Sequence, residues 1–143
     1  MAIKQISVFV ENKKGALEAV LKVFSDNGVG LRAMTIADTK DYGILRVIVD
    51  DQAAAVEALN KAEVLHSVND VVAVEAADVP GGLAAVLKVI LDAGIDIEYT
   101  YAFVIQSGEY ACAILRLSDT EAGEAALKAA GVPLITEDDI LRI

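Results

Sequence analysis

Asp78-Val79-Pro80-Gly81-Gly82-Leu83 decides the fold, because the chain states this passage twice. The earlier version, Asn12-Lys13-Lys14-Gly15-Ala16-Leu17, lies 66 residues upstream. Each passage opens a helix-length stretch, and the two stretches stop alike, at Asp26-Asn27-Gly28-Val29 and at Asp92-Ala93-Gly94-Ile95. Between these ends Leu17, Ala19, Val20, Leu21, Lys22 and Val23 recur as Leu83, Ala85, Val86, Leu87, Lys88 and Val89. A duplicated loop and helix imply two equivalent sites, with the loop as the place for a ligand.

The flanks fill in the unit. Before the first loop, Ile6, Val8 and Val10 alternate with Gln5, Ser7 and Phe9, and a period of two predicts a strand. After it, Leu17, Val20, Leu21 and Phe24 form an amphipathic helical stripe, which Gly28 ends. Leu31–Ala37 and Gly43–Val49 read as a hairpin across Asp38-Thr39-Lys40-Asp41. Asp50 or Asp51 can cap the next helix, striped by Ala55, Ala58, Leu59 and Ala62, and Val71–Val74 is a strand. Strand, helix, strand, strand, helix, strand is the split βαβ, or ferredoxin-like, order.

The second half repeats this. Ile95–Ile105 and Glu109–Leu117 predict a hairpin across Gln106-Ser107-Gly108. Ser118-Asp119-Thr120-Glu121 has the form of a capping box. That helix ends near Gly131, Glu137-Asp138-Asp139 reads as a solvated turn, and Ile140–Ile143 as the closing strand. The expected fold is α+β: two tandem ferredoxin-like (βαββαβ) units, residues 1–70 and 71–143, forming a joined antiparallel sheet with helices on one face. Two full units need eight strands and the sequence offers seven. One strand, 71–76, is therefore expected to serve both units near the centre of the sheet, or else the final strand completes the first unit.

Composition narrows the function. The 143 residues are 55% apolar but poor in aromatics, which suits thin helix-on-sheet packing. No run reaches the roughly 18–20 apolar residues of a membrane span, and Met1-Ala2-Ile3-Lys4 lacks the pattern of a signal peptide. One cysteine, Cys112, leaves no intrachain disulfide and no cysteine metal knot. A cytoplasmic protein is the simplest expectation. The net charge of −10 is uneven: residues 1–70 carry −2 and residues 71–143 carry −8. Such a surface repels phosphate backbones and argues against a nucleic-acid partner. P-loop, GxGxxG, HExxH and GxSxG motifs do not occur, so no nucleophile–base pair, cofactor or metal is proposed.

The loop itself carries the chemistry. Free N–H groups at a helix start, with the helix dipole behind them, favour a carboxylate. Three residues before the glycine stands Asn12 in one copy and Asp78 in the other, each able to accept from an ammonium group. Together these are the needs of a free amino acid. The same residues have an ordinary structural reading, as helix cap and turn.

The pattern as a whole resembles the ACT domain family, small regulatory modules that bind amino acids and control metabolic enzymes. Asp78-Val79-Pro80-Gly81-Gly82-Leu83 matches that family's D-x-P-G-x-L loop, and Asp92-Ala93-Gly94-Ile95-Asp96-Ile97 its continuation into the next strand. Glu11-Asn12-Lys13-Lys14-Gly15-Ala16-Leu17 looks like the E-N-x-P-G-x-L variant, with Lys14 in place of proline. The resemblance implies ligand contacts at Asn12, Lys14, Gly15, Ala16 and Leu17, at Asp78, Pro80, Gly81, Gly82 and Leu83, and at Ile95 and Asp96. Gly30 takes the place of Asp96 in copy one and offers no side chain. Asp96 beside Asp78 would give copy two an acidic pocket for an ammonium group or, second to it, a cation, so the Asp78–Leu83 loop is the favoured site.

Other residues weigh less. His66 sits in a polar linker without a companion, and Cys112 lies inside a strand as a small core residue. Tyr99 and Tyr101 share a strand face, for packing, for a ligand wall or for a dimer contact. Glu98 and Arg32 hold matching positions with opposite charge and suggest an ion pair across the units, while Arg46 or Arg116 could meet a carboxylate. The expected function is non-catalytic binding of an amino acid at the interface between units, in a homodimer, for regulation. Two alternatives stand beside it. One is a regulatory subunit that acts by contact with a separate metabolic enzyme. The other is a small acylphosphatase-like hydrolase, for which only Lys13 and Lys14 offer basic groups in the loop.

Overall fold

Strand β1 (Ile3–Glu11) turns Ile6, Val8 and Val10 to one face, and helix α1 (Ala16–Asp26) lays Val20 and Phe24 over them. The structure is a computed structural model that describes residues 2–38, 41–104 and 110–142. After α1 come β2 (Leu31–Asp38), β3 (Tyr42–Val49), α2 (Gln52–Lys61) and β4 (His66–Ala77). Then follow α3 (Gly82–Asp92), β5 (Ile97–Val104), β6 (Tyr110–Leu117), α4 (Thr120–Ala129), β7 (Leu134–Ile135) and α5 (Glu137–Leu141). The class is the expected α+β, with antiparallel strand pairing and two ferredoxin-like units. The predicted turn at Gln106-Ser107-Gly108 and residues Thr39 and Lys40 of the first turn lie outside the described residues.

The chain divides into two units, one of Lys4–Asn69 and one that begins at Asp70 and takes in Ile3. In the first unit β3 pairs with β1 on one side and β2 on the other. The Phe9 amide donates to the Leu65 carbonyl (3.0 Å) and the Ser7 hydroxyl to Asn69 Oδ1 (2.8 Å), so residues 65–69 flank β1 on its far side. In the second unit β6 lies between β4 and β5, and β7 pairs with β4 at Ala73 and Val74. There the Glu75 amide donates to the Pro133 carbonyl (3.0 Å), the same bond 66 and 68 residues on. The missing eighth strand is thus explained. His66–Ala77 is one continuous strand whose first residues act as the last strand of the first unit, and whose remainder acts as the first strand of the second. Within its own unit the 71–76 segment has neighbours on both sides, since Ala73 faces both Ile114 and Ile135.

Each core lies between helices and one sheet face. In the first unit Leu45 and Val47 join β1 against Val20, Phe24, Ala55 and Leu59; in the second Val72, Val74, Leu115 and Leu117 meet Val86, Ile90 and Leu127. Burying each such Leu, Ile or Phe contributes roughly 1.5–3 kcal/mol. All four long helices stop the same way. After α1, Gly28 N–H bonds Ser25 O and Val29 N–H bonds Phe24 O, the paired bonds of a Schellman stop. The corresponding residues after α3 are Gly94 and Ile95, bonded to Leu91 and Ile90.

Three sequence expectations need correction. The chain does not close with a strand at Ile140–Ile143: the short closing strand is β7, and Ile140 is buried within α5. Glu137-Asp138-Asp139 is not a turn but the first turn of α5, where Thr136 and Asp139 form a reciprocal capping box that acidic residues favour through the helix dipole. Helix α4 is capped by Asp119, not Ser118; the Asp119 carboxylate accepts from Ala122 N–H (3.0 Å), and Ser118 Oγ instead accepts from Asp96 N–H (3.1 Å).

Candidate functional site

The two strand-to-helix loops share one backbone path. Lys13 N–H bonds Glu11 O (2.9 Å) and Ala16 N–H bonds Lys13 O (3.2 Å); in the second loop Val79 N–H bonds Ala77 O (2.9 Å) and Gly82 N–H bonds Val79 O (3.0 Å). Gly15 and Gly81 then take φ of +85° and +86°, a left-handed turn that an L side chain resists. Lys14 in place of Pro80 leaves this pattern intact.

Their helix starts differ from the others in each unit. Helices α2 and α4 are capped, Asp51 accepting from Ala54 N–H and Asp119 from Ala122 N–H, both at 3.0 Å. Helices α1 and α3 begin at Gly15 and Gly81 with no side-chain cap. Of the cap-and-turn reading, the turn is realised at Gly15 and Gly81, while the N-cap position falls to these glycines and not to Asn12 or Asp78. At α1 and α3 the first helical N–H, of Ala16 and of Gly82, is taken by the loop carbonyl of Lys13 or Val79, and the N–H groups that follow have no side-chain cap and stand at the positive end of the dipole. Asn12 through Gly15 and Asp78 through Gly81 are exposed, while Leu17 and Leu83 are half-buried beneath them.

Space opens beside the first loop. A cavity of about 240 Å³ is lined by Val10, Glu11, Asn12, Lys13, Leu17, Ile36, Gly43 and Leu45. A second, more open cleft of about 420 Å³ borders the same loop at Phe9, Ala16, Val20, Tyr42 and Leu65. The rings of Phe9 and Tyr42 sit 6.5 Å apart there.

The structure does not bring all the predicted residues together. Ala77, just before Asp78, faces Tyr110 at one end of β6, and Ile97, just after Asp96, faces Leu117 at the other. Seven residues of strand separate these pairs, about 23 Å. Asp96 is therefore not beside Asp78, and the acidic pocket expected in copy two does not form within the unit, because α3 carries the chain back to the far end of the sheet. Ile95 is buried as the final residue of the α3 stop, and Asp96 is tied to Ser118 by bonds in both directions. Gly30 has the matching place in the first unit. Asp50 Oδ1 accepts from Gly30 N–H (2.8 Å), and a Cβ at Gly30 would come within 2.6 Å of Asp50 Oδ2. Gly30–Asp50 and Asp96–Ser118 are thus one bridge with the acid on opposite partners.

The remaining candidates take structural places. Arg116 pairs with Glu98 (3.0 Å) in its own unit and donates to the Asp70 carbonyl (2.7 Å), and Arg32 approaches Asp50 at 4.0 Å, so the pair expected across units is replaced by pairs within them. Arg46 lies half-buried opposite Ser7 and Thr35. Tyr99 and Tyr101 are half-buried opposite Arg116 and Ile114. His66 opens β4, with Nδ1 2.9 Å from the Val64 carbonyl oxygen. Cys112 is fully buried, and desolvation, with Glu75 nearby, pushes its thiol pKa up to about 12. Among the described residues no group of three or more His, Cys, Asp or Glu is placed to hold a metal, and no helix is long and apolar enough to cross a membrane.

Duplicated split-βαβ units, each with an uncapped glycine loop, are the plan of an ACT domain pair. The chain belongs to the ACT domain family: the family's profile for an ACT domain pair matches residues 1–143. A crystal structure of a protein from Bacteroides thetaiotaomicron is 36% identical, covers 100% of this chain and 98% of its own, and superposes with a TM-score of 0.93. The ligand-free regulatory subunit of aspartate kinase from Thermus thermophilus shares the fold at 19% identity, with 90% of each chain covered and a TM-score of 0.65. The corresponding subunit from Thermus flavus does so at 16% identity, with 90% and 92% covered and a TM-score of 0.63. No curated protein sequence matches the chain.

Proposed function

We propose that this chain is a non-catalytic regulatory protein that senses a free amino acid through its strand-to-helix glycine loops. The observation that carries the reading is the contrast between helix starts: α2 and α4 are closed by Asp51 and Asp119, while α1 and α3 open at Gly15 and Gly81 without a cap. An amino-acid carboxylate supplies what those N–H groups lack, and Asn12 or Asp78 lies three residues before the glycine for the ammonium group. Lys14, Ala16 and Leu17 in one loop, and Pro80, Gly82 and Leu83 in the other, shape the backbone around it. Membership in the ACT family and the fold shared with aspartate kinase regulatory subunits support a regulatory role. A ligand that binds only the folded protein raises its melting temperature. A thermal-shift screen of the twenty amino acids should give a rise with at least one, and Asn12→Ala or Asp78→Ala should diminish it. A flat response to all twenty at millimolar concentration sinks the reading.

A homodimeric assembly is the second part of this proposal. Phe9, Tyr42 and Leu65 are 40%, 45% and 70% exposed around one cleft, a cluster of apolar surface suited to a second copy. Sedimentation should give twice the chain mass, falling toward the monomer in Leu65→Glu; a monomer at all concentrations refutes it.

A further inference from the structure

We propose that the amino acid held at the first loop has a branched aliphatic side chain, seated on Val10, Leu17 and Ile36 above the buried Leu45. This rests on the amino-acid reading above and adds the ligand's class. The cavity beside the loop is lined by these four apolar side chains and Gly43, and by Glu11, Asn12 and Lys13 on its polar side. At about 240 Å³ it falls below the roughly 300–1,000 Å³ of sites for drug-sized molecules, and holds about eight waters' worth of space. That is the scale of one small metabolite. A ligand whose carboxylate meets the start of α1 would lay its side chain along this floor. The charged residues of the lining, Glu11 and Lys13, pair with each other at 2.9 Å, so a charged ligand side chain would lose hydration without gaining a free partner, and among the described residues no aromatic ring lines the cavity to stack against.

The second copy shows that the floor is particular to the first. The repeat places Ala76, Ala102 and Ala113 where the first unit has Val10, Ile36 and Leu45, and keeps only Leu83 for Leu17. The β5–β6 register pairs Ala102 with Ala113 as β2–β3 pairs Ile36 with Leu45, so the positions correspond in space as well as in sequence. At these positions of the second loop the wall is reduced to alanine, and the aliphatic selectivity is assigned to the first loop.

Ile36 gives the test, because it is 41% exposed and its replacement need not disturb the core. Thermal shift and calorimetry on the full chain would compare leucine, isoleucine and valine with serine, aspartate, lysine and phenylalanine. The expected result is the largest shift with the aliphatic set, and affinity for it reduced about tenfold in Ile36→Asp, whose ligand-free melting temperature stays near that of the parent. Should Ile36→Asp fail to fold, Ile36→Ala should still weaken leucine binding several-fold. A preference for polar, charged or aromatic amino acids, or aliphatic binding untouched by either variant, overturns this inference and leaves the amino-acid reading standing. No shift with any amino acid removes both.

Discussion

The two loops carry the same hydrogen bonds on different foundations. Beneath the first, Val10, Ile36 and Leu45 stand on the sheet, and the helix start accommodates the Cβ of Ala16. Beneath the second the floor is alanine, and the loop turns so tightly that a Cβ on Gly82 would overlap the Ala77 carbonyl oxygen. Bulky floor residues go with the loop whose helix start carries a Cβ; small ones go with the loop whose helix start has no room for one. Sequence comparison alone favoured the second loop for its charges, Asp78 and Asp96. Among the described residues, a cavity is seen beside the first. Duplication preserved the backbone device while the packing under it diverged.

The sharpest way to break this comparison is to exchange the residue that follows the left-handed glycine. Gly82→Ala drives a methyl group into backbone that cannot rotate aside, and should cost about 3 kcal/mol or more. The reciprocal change, Ala16→Gly, removes a tolerated methyl group and should cost only roughly 0.5–1 kcal/mol, through added freedom of the unfolded chain. Denaturant melts of both variants measure the asymmetry. Equal costs would mean that the loops are not differently tight.

Elsewhere the copies differ but compensate. The first unit packs Ala55 against a sheet carrying Val49; at the matching places the second has Gly123 and Leu117, and a Cβ on Gly123 would run into Leu117 Cδ1. One pair is small helix residue with large strand residue, the other is intermediate with intermediate, and the carbon count is the same. Gly123→Ala should destabilise by about 2 kcal/mol. Adding Leu117→Val recreates the first unit's pair, so the double variant should be more stable than Gly123→Ala alone. A coupling of about 1 kcal/mol is expected in the double-mutant cycle; simple additivity would show that the two sites do not exchange volume.

These pairs show why the fold was legible in the sequence and the site only partly so. Period-two and helical stripes report which face a residue takes, and Ile6, Val8, Val10, Val20 and Phe24 are buried as the stripes require. Caps are local, so Asp51 was readable, whereas Ser118-x-x-Glu121 looked like a box because Ser118 serves a longer-range bond to Asp96. At the C-terminus, Thr136 and Asp139 close a capping box whose acid is Asp rather than Glu, and an apolar run beyond it passed for a strand. The adjacency assumed for Asp78 and Asp96 failed for a topological reason: a strand-to-helix loop and the start of the next strand lie at opposite ends of the sheet. The floor of the first loop comes from three strands and one helix, so no single window of sequence displays it.

Cys112 tests by pH the burial of the sheet face that points away from the second unit's helices. Its counterpart in the first unit is Ile44, which does not ionise. Burial raises the Cys112 pKa from 9.0 to about 12 in the folded chain. Below pH 9 the thiol is protonated in both states and contributes no pH dependence. Between pH 9 and 12 the unfolded chain gives up a proton that the folded chain keeps, so stability falls as pH rises, by about 1.4 kcal/mol per unit. The stability difference between the parent and Cys112→Ala should change by that slope from pH 9.5 to 10.5. A constant difference would place the thiol in contact with solvent, and rapid thiol labelling of the native protein at pH 8 would say the same.

The smallest expected effect lies at the stop of the helix before β4. Glu63 holds φ of +55°, the sole non-glycine residue at positive φ among the described residues, and the repeat has Gly131 in its place at +76°. Both make the same bonds: Glu63 N–H to Asn60 O and Val64 N–H to Leu59 O in one copy, Gly131 N–H to Lys128 O and Val132 N–H to Leu127 O in the other. A left-handed residue with a side chain costs about 1–2 kcal/mol, and glycine recovers part of that after its larger unfolded-state entropy. Glu63→Gly should therefore stabilise the chain by about 0.5–1 kcal/mol, a rise of about 2–3 °C in melting temperature. Glu63 is exposed and borders the 420 Å³ cleft, so the same variant should leave the amino-acid response of the 240 Å³ cavity unchanged. A fall in melting temperature would mean that the carboxylate of Glu63 contributes more than its backbone strain removes.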